Sequence, residues 1–427
     1  MPASSISRRG FLQTSAGAAL AGPLVLTQHS RGQTAANERI TLGFIGVGMM
    51  GRGHLGSFLG QEDVQVVAVC DMNKERRDAA QKRVDEAYAK RKGKGDFKGC
   101  AAFNDFRELL ERKDIDAVVI ATPDHWHALP AVYAARAKKH IYCEKPLTNV
   151  IADGRRIVDE VKKNDVIFQT GSQQRSEFGG RFRLAVELVR NGRIGKVKQI
   201  GIGVGGPAKP CDLPEQETPA GTDWDLWLGP APKRGYNEIL CPKGEHKHFP
   251  AWRSYKEYAG GGLADMGAHH FDIAQWALDM DGSGPVKIEP PNQGSNGLKF
   301  TYSNGVVMVH GAPADCVFEG EKGTILVSRG KIETKPEGIL KEPIGEKDFH
   351  VYPSNNHRRN WIECIKTKKQ TICPAETGHR SCTVCLLGNI GYWLRRPLQW
   401  DPQAEKFVGD DEANKLLDRE MRAPWKF

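Results

Sequence analysis

Three ionisable residues share one face of an apolar stretch. In "LADMGAHHFD", Leu263–Asp272, the residues Asp265, His269 and Asp272 stand at i, i+4 and i+7, on one side of a helix. Apolar residues fall on every side of this segment and continue through Ile273, Ala274, Trp276, Ala277 and Leu278, which predicts a buried helix rather than a surface one. A buried carboxylate or imidazole is costly unless it finds a partner. Three readings fit: proton transfer by an imidazole, metal ligation by Asp265 and His269 with His125 or His127, or a satisfied polar core. Metal ligation is the weakest, because no third ligand has diagnostic spacing, and no metal is expected.

The elements that would position such residues emerge at Arg39. "RITLGFIGVGMMGRGHLGSFL" is an apolar run of strand length, then Gly46-x-Gly48-x-x-Gly51, then a helical pattern. A lone GxGxxG says little, but between a strand and a helix it has the context of a dinucleotide site. Gly46 permits the tight turn, Gly48 lets backbone approach a pyrophosphate, and Gly51 lets the helix pack close. The next run, "VQVVAVC", ends at Asp71, an acid placed to accept hydrogen bonds from ribose hydroxyls and to repel a 2′-phosphate. NAD is therefore expected over NADP, although Lys74, Arg76 and Arg77 stand nearby.

Strand and helix patterns then alternate through "IDAVVIAT", "HALPAVYAARAKK", "HIYCEKP", "VIADGRRIVDEVKKN" and "VIFQTG". Such repetition implies an α/β domain with a doubly wound parallel sheet, whose ligands bind at the carboxyl ends of the strands. Two of those ends carry Pro123-Asp124-His125-Trp126-His127 and Glu144-Lys145-Pro146.

The chain has 427 residues, enough for two domains, and a formal charge of +9 spread along its length. The one dense basic run, Lys90-Arg91-Lys92-Gly93-Lys94, contains no aromatic residue for base stacking and reads as a solvated loop, so no nucleic-acid partner is expected. Ser7-Arg8-Arg9-Gly10-Phe11-Leu12 precedes a weakly hydrophobic run and resembles a Tat signal, with small residues near Thr34 and Ala36 for cleavage. The expected organisation is a signal over 1–36, a dinucleotide domain over 37–171 and a second domain over 172–427. Export to the periplasm follows, with no stable membrane span after signal removal. The ten cysteines lack a disulfide-framework spacing, and Cys382-x-x-Cys385 falls in an expected amphipathic helix, so all read as structural thiols.

The glycine fingerprint, T-P-D-x-x-H, E-K-P and G-G-x-x-x-D-x-G-x-H-x-x-D occur in order and at suitable separations. Together they resemble the Gfo/Idh/MocA oxidoreductases, from Arg39 to the C-terminus. "ATPDHWHALPAVYAARAKKHIYCEKPLT", "DWDLWLGPAP" and "NHRRNWIECIKTKKQTICPAETGHRS" are similar to the Tat-exported bacterial branch in particular. The resemblance implies catalysis by Lys145, Asp265 and His269. His269 is then the candidate base, Asp265 orients it, and Lys145 donates to the reacting oxygen and the nicotinamide ribose. A neutral imidazole near working pH suits removal of an alcohol proton. Asp272 reads as structural, and His270 points elsewhere around the helix. The cofactor contacts expected are Gly46, Gly48, Met49, Met50, Gly51, Asp71, Thr122, Pro123, His127, Glu144 and Lys145.

From Ser172 onward the pattern changes to a helix in "RFRLAVELVRNGRIG", strands from "VKQIGIGVGG", and a closing helix in "NHRRNWIECIKT". This suggests a second α/β domain with an open, mainly antiparallel sheet. Between them lies a long aromatic-rich connection from Pro207 to Tyr258. Trp224 and Trp227, followed by Gly-Pro, read as loop anchors, while Gln174, Arg175, Trp252 and Arg253 are the substrate candidates. The function implied is oxidation of a secondary hydroxyl of a sugar, polyol or glycoside with tightly held, recycled NAD. An NAD-dependent glycosidase or epimerase working by transient oxidation is the alternative, its extra base supplied by His125, His127 or Tyr258. A non-catalytic carbohydrate-binding protein is the third reading. A homo-oligomer, dimer or tetramer, is expected through the C-terminal sheet.

Overall fold

The computed structural model describes residues 39–91 and 97–427. The twin-arginine leader and Lys92 to Lys94 of the basic run lie outside the described residues. Strands β1 (Ile40–Ile45), β2 (Val64–Cys70), β3 (Ala101–Phe103), β4 (Ala117–Ile120), β5 (His140–Cys143) and β6 (Phe168–Thr170) form one sheet in the order β3-β2-β1-β4-β5-β6. Every pairing in it is parallel. β2 is buried along its whole length, as its unbroken apolar sequence requires of a sheet covered on both faces. The order reverses between β1 and β4, which opens a crevice at their carboxyl ends.

The second sheet has nine strands. β7 (Val197–Ile202) pairs in parallel with β10 (Val307–His310), and the remaining pairings are antiparallel. Its order is β13-β12-β11-β7-β10-β9-β8-β14-β15. These others are β8 (Lys287–Glu289), β9 (Lys299–Thr301), β11 (Cys316–Gly320), β12 (Thr324–Val327), β13 (Ile332–Lys335), β14 (Leu398–Asp401) and β15 (Lys406–Phe407). The fold is therefore α/β with a Rossmann sheet and an open, mainly antiparallel second sheet.

Three sequence expectations are corrected. His357–Thr367 is a helix but does not close the chain: a 20-residue helix, Ala375–Leu394, follows it, and then β14 and β15. That long helix, which carries Cys382 and Cys385, is not amphipathic, since every residue from Thr377 to Tyr392 is buried. Both thiols are capped by backbone, Cys382 donating to the Thr148 carbonyl and Cys385 to that of Ser381, and all ten cysteines are free. The Asp265/His269 segment is not one helix either. A short turn, Gly261–Asp265, stops at Met266, and a second helix, Gly267–Ala277, continues.

The two halves are interleaved. Trp361 of the His357–Thr367 helix packs edge-on against Phe58 and Tyr142 of the first domain. Arg155 binds Glu376 and Glu405. The last residues strap the helix Ala128–Arg136, where Trp425 packs on Trp126 and Tyr133 donates to the Lys426 carbonyl. No described helix is long and apolar enough to cross a membrane.

Candidate active site in the interdomain cleft

A cleft of about 440 Å³ runs from the glycine turn to the Asp265 segment and is lined from both halves. That volume is of the size expected for a ligand site. At its dinucleotide end Gly46 adopts φ +85°, and a Cβ there would lie 2.8 Å from the backbone of Ala121 and Thr122. A Cβ on Gly51 would meet the Gly46 carbonyl at 2.1 Å, so the helix Met49–Leu59 packs here only because both are glycine. Beside Gly48 there is open space, and no side chain caps the helix start. Free N–H groups at a helix N-terminus suit a pyrophosphate. Thr122 Oγ1 is buried on the same wall, with no hydrogen-bond partner among the described residues.

Asp71 directly follows β2, its carboxylate fixed by the N–H groups of Val47 and Asn73, each at 2.9 Å. Each oxygen keeps a lone pair for a ribose hydroxyl. The neighbouring cations are committed elsewhere: Lys74 to Asp78, Arg77 to the Asp71 carbonyl and Asn104, Arg76 to the carbonyls of Pro242 and Gly244. The residues present fit NAD.

The long connection of the second domain folds over this end. Lys74 N–H binds the Gly221 carbonyl at 2.8 Å, Asn73 binds Thr222 Oγ1 at 3.0 Å, and Arg52 reaches the His246 carbonyl. Leu240, Cys241, Pro242 and His246 form the cleft wall there. Trp224 and Trp227 stack at 4.6 Å and pin the connection, as expected of loop anchors, and Trp227 also lines the cleft.

At the other end Lys145 Nζ donates to both the carbonyl and the carboxylate of Asp265, each at 2.8 Å. A continuous helix would pair that carbonyl with His269 N–H; instead the His269 N–H reaches back to Met266 at 3.0 Å. The helix breaks where the lysine takes its carbonyl. No hydrogen bond joins Asp265 to His269, so the expected orienting role of Asp265 is corrected: it holds Lys145, and its Oδ1 lies 3.6 Å from Arg253 Nε. His269 is buried, its Nδ1 has no partner among the described residues, and its carbonyl accepts from Gln174 at 3.3 Å. Burial, with the charges of Lys145 and Arg329, holds the imidazole well below the usual histidine range. It is neutral and keeps a lone pair to offer, but as a weakened base, not one poised near working pH as the sequence suggested.

Glu144 also faces the cleft. It accepts from His54 Nε2 and Gln173 Nε2, both at 2.7 Å, while His54 Nδ1 accepts from Arg358 at 2.8 Å. Burial raises the carboxyl, but the hydrogen bonds from His54 and Gln173 and the charge of Lys145 outweigh it and bring it to about 2.

Several expected residues stand elsewhere. Arg175 is 1 % exposed and forms bidentate pairs with Asp272 and Asp281, so it is a structural anchor rather than a substrate contact. Asp272, which also accepts from Ser381, is structural as expected. Gln174 lies behind the wall, bonded to His269 and Arg329. His127 is corrected as a cofactor contact and as a base: its ring is clamped between the carbonyls of Pro146 and Thr122. His125 and Tyr258 are fully buried outside the cleft and supply no base. Trp252 and Arg253 do line it, the guanidinium 4.2 Å over the indole. Sequence reasoning assigned no role to Gln173, Glu177, Arg329 and Arg358, which reach the cleft from three separate segments.

These features define a two-domain dinucleotide-binding protein with a second ligand site against its nicotinamide end. Two family models match, the oxidoreductase-family NAD-binding Rossmann fold over residues 40–172 and the oxidoreductase-family C-terminal alpha/beta domain over 208–427. The chain belongs to the Gfo/Idh/MocA oxidoreductase family. It is 34 % identical over 171 residues to the myo-inositol 2-dehydrogenase of Thermotoga maritima, covering 40 % of this chain and 46 % of that protein. It is 32 % identical over 165 residues to an alpha-N-acetylgalactosaminidase of Shewanella oneidensis, covering 38 % of this chain and 34 % of that protein. The chain thus spans a third to half of the length of the curated relatives it matches. The structure of the WlbA dehydrogenase of Bordetella pertussis, in complex with NADH and UDP-GlcNAcA, shares the fold, with TM-score 0.57 and 18 % identity, covering 85 % of this chain and 100 % of that one.

Proposed function

We propose that this protein oxidises a secondary hydroxyl of a sugar, polyol or glycoside, with NAD held in the cleft and recycled there. The convergence of Lys145 on Asp265 beside neutral His269, at the end of a cleft that begins at the glycine turn, carries this reading. Bound nicotinamide would accept and return a hydride. His269 takes the hydroxyl proton, and the Lys145 ammonium, its carbonyl and carboxylate contacts fixing it, donates to the oxygen as negative charge develops. Trp252 and Arg253 offer an apolar face and a donor to the ring. The names of the two relatives support a polyol or a glycoside as the substrate class.

Cofactor recycling is supported by the connection that covers the adenosine end, since NAD leaves only if those contacts open. A redox-neutral variant, in which transient oxidation makes the neighbouring C–H acidic, is favoured by the glycosidase among the relatives. Heat-denatured protein should release NAD, and adding myo-inositol or an N-acetyl-α-galactosaminide should reduce the bound nicotinamide. Purified protein that neither contains nor binds nicotinamide sinks the proposal. Export through Tat to the periplasm is supported by the Arg8-Arg9 leader and tested by cell fractionation after Arg8→Lys/Arg9→Lys. Homo-oligomer formation through the second sheet is supported by its part-exposed Val307, Val309, Val317 and Leu326, and sedimentation tests it.

A further inference from the structure

Asp124 has no role in the chemistry above. It follows β4 and opens the turn Asp124–Trp126, where its carbonyl accepts from His127 N–H. The residue is 4 % exposed and forms part of the cleft wall, yet among the described residues no donor hydrogen-bonds its carboxyl. The charged groups facing it are Arg253 and Asp265 of the second domain and Lys145 and Glu144 of the strand end. Every other carboxylate of the cleft is committed: Asp71 to two backbone N–H groups, Glu144 to His54 and Gln173, Glu177 to Arg358, Asp265 to Lys145. Burial pushes the Asp124 carboxyl up to about 8, with Asp265 and Glu144 adding to the rise and Arg253 and Lys145 opposing it.

We propose that Asp124 is the second acid–base residue of this cleft, exchanging a proton with the C–H bond beside the transiently oxidised carbon. The proposal rests on the redox-neutral reading, which requires such a group. His125, His127 and Tyr258 are sealed away from the cleft, whereas Asp124 lies on its wall with its lone pairs unused. Once the hydroxyl carbon is a ketone, the adjacent C–H bond breaks. Its proton passes to the Asp124 carboxylate, and its electron pair moves into an enolate whose oxygen Lys145 holds. Return of the proton restores the C–H bond on either face. Where the next carbon bears a glycosidic oxygen, the enolate expels it as an alcohol that takes the proton from Asp124, and water then adds to the double bond. A carboxyl that titrates near neutrality serves both directions of transfer.

The test uses full-length wild type, Asp124→Asn and Asp124→Glu, each with its bound cofactor. Infrared difference spectra across a pH titration should show a carboxyl that deprotonates near pH 8 in wild type and is missing in Asp124→Asn; no such difference overturns the assignment without any substrate. In D2O, with myo-inositol and methyl N-acetyl-α-galactosaminide as probes, Asp124→Asn should still reduce its nicotinamide. It should lose deuterium uptake beside the oxidised carbon by about a hundredfold or more, and Asp124→Glu should recover part of it. Unchanged uptake in Asp124→Asn overturns the proposal, as does wild-type reduction with no uptake at all. A wild type whose nicotinamide neither probe reduces overturns the oxidation reading, and the assignment with it.

Discussion

Arg76 and Gly244, 168 residues apart in the chain, meet at 2.8 Å over the adenosine end of the cleft. The same guanidinium binds the Pro242 carbonyl, so a cation of the first domain holds the wall supplied by the second. Arg76→Ala should leave the fold intact and speed NAD release by about tenfold or more, the scale of one or two hydrogen bonds to a charged donor. With the cofactor first reduced, loss of bound dihydronicotinamide fluorescence on dilution measures it. Because Arg76 does not face the reacting end, turnover at saturating external NAD should change little.

Lys145→Ala and His269→Ala should lower turnover by about a hundredfold or more, with thermal stability and NAD content near wild type. The comparison that matters is Asp265→Asn. It removes the carboxylate that holds Lys145 but keeps the backbone carbonyl contact, so its loss should be smaller than that of Lys145→Ala. Equal losses would show that Asp265 acts on substrate itself.

Arg175→Ala should fail as a structural variant. It leaves the Asp272 carboxylate, 0 % exposed, without its cation, a change that costs about 3–5 kcal/mol. Denaturant unfolding should show the loss, and pairing it with Asp272→Ala should recover part of it. Arg253→Ala, by contrast, should raise KM without lowering the unfolding midpoint.

Stability should depend on pH through two opposed groups of side chains. Burial holds the Asp124 carboxyl up at about 8, so the folded state keeps a proton that the unfolded chain loses near 4. Its contribution is present below pH 4 and is lost as pH rises to 8. Asp124→Asn should therefore stabilise the protein relative to wild type at pH 8 and make little difference at pH 4. His125 and His357 run the other way: burial lowers them to about 3 and about 4, so their contribution is full above 6.5 and lost as pH falls. Thermal melts from pH 4 to 8 check both slopes.

The parallel sheet was legible because its strands are unbroken apolar runs and its helices sit between them at regular spacing. The cofactor end was legible for the same reason, since Gly46, Gly51 and Asp71 owe their roles to local backbone geometry. Arg175 was misread because a buried bidentate ion pair and a substrate-binding arginine look alike in sequence; only Asp272 and Asp281 distinguish them. The break at Met266 was illegible because its cause, the Lys145 ammonium, lies 120 residues earlier in the chain. Arg329 sits in a hairpin turn whose turn residues explain it locally, and nothing nearby points to the cleft.

The strapping of the first domain by the end of the chain sets the order in which the molecule can be completed during synthesis. Domains generally fold as units as they leave the ribosome, first-made first. Here the β1–β6 sheet is finished early, but Trp361, Glu376 and Trp425, which cover its helices, are translated more than 180 residues after its last strand begins at Phe168. The nascent half therefore waits with apolar surface exposed until Trp361, Glu376 and Trp425 have emerged, and it reaches its native packing only then.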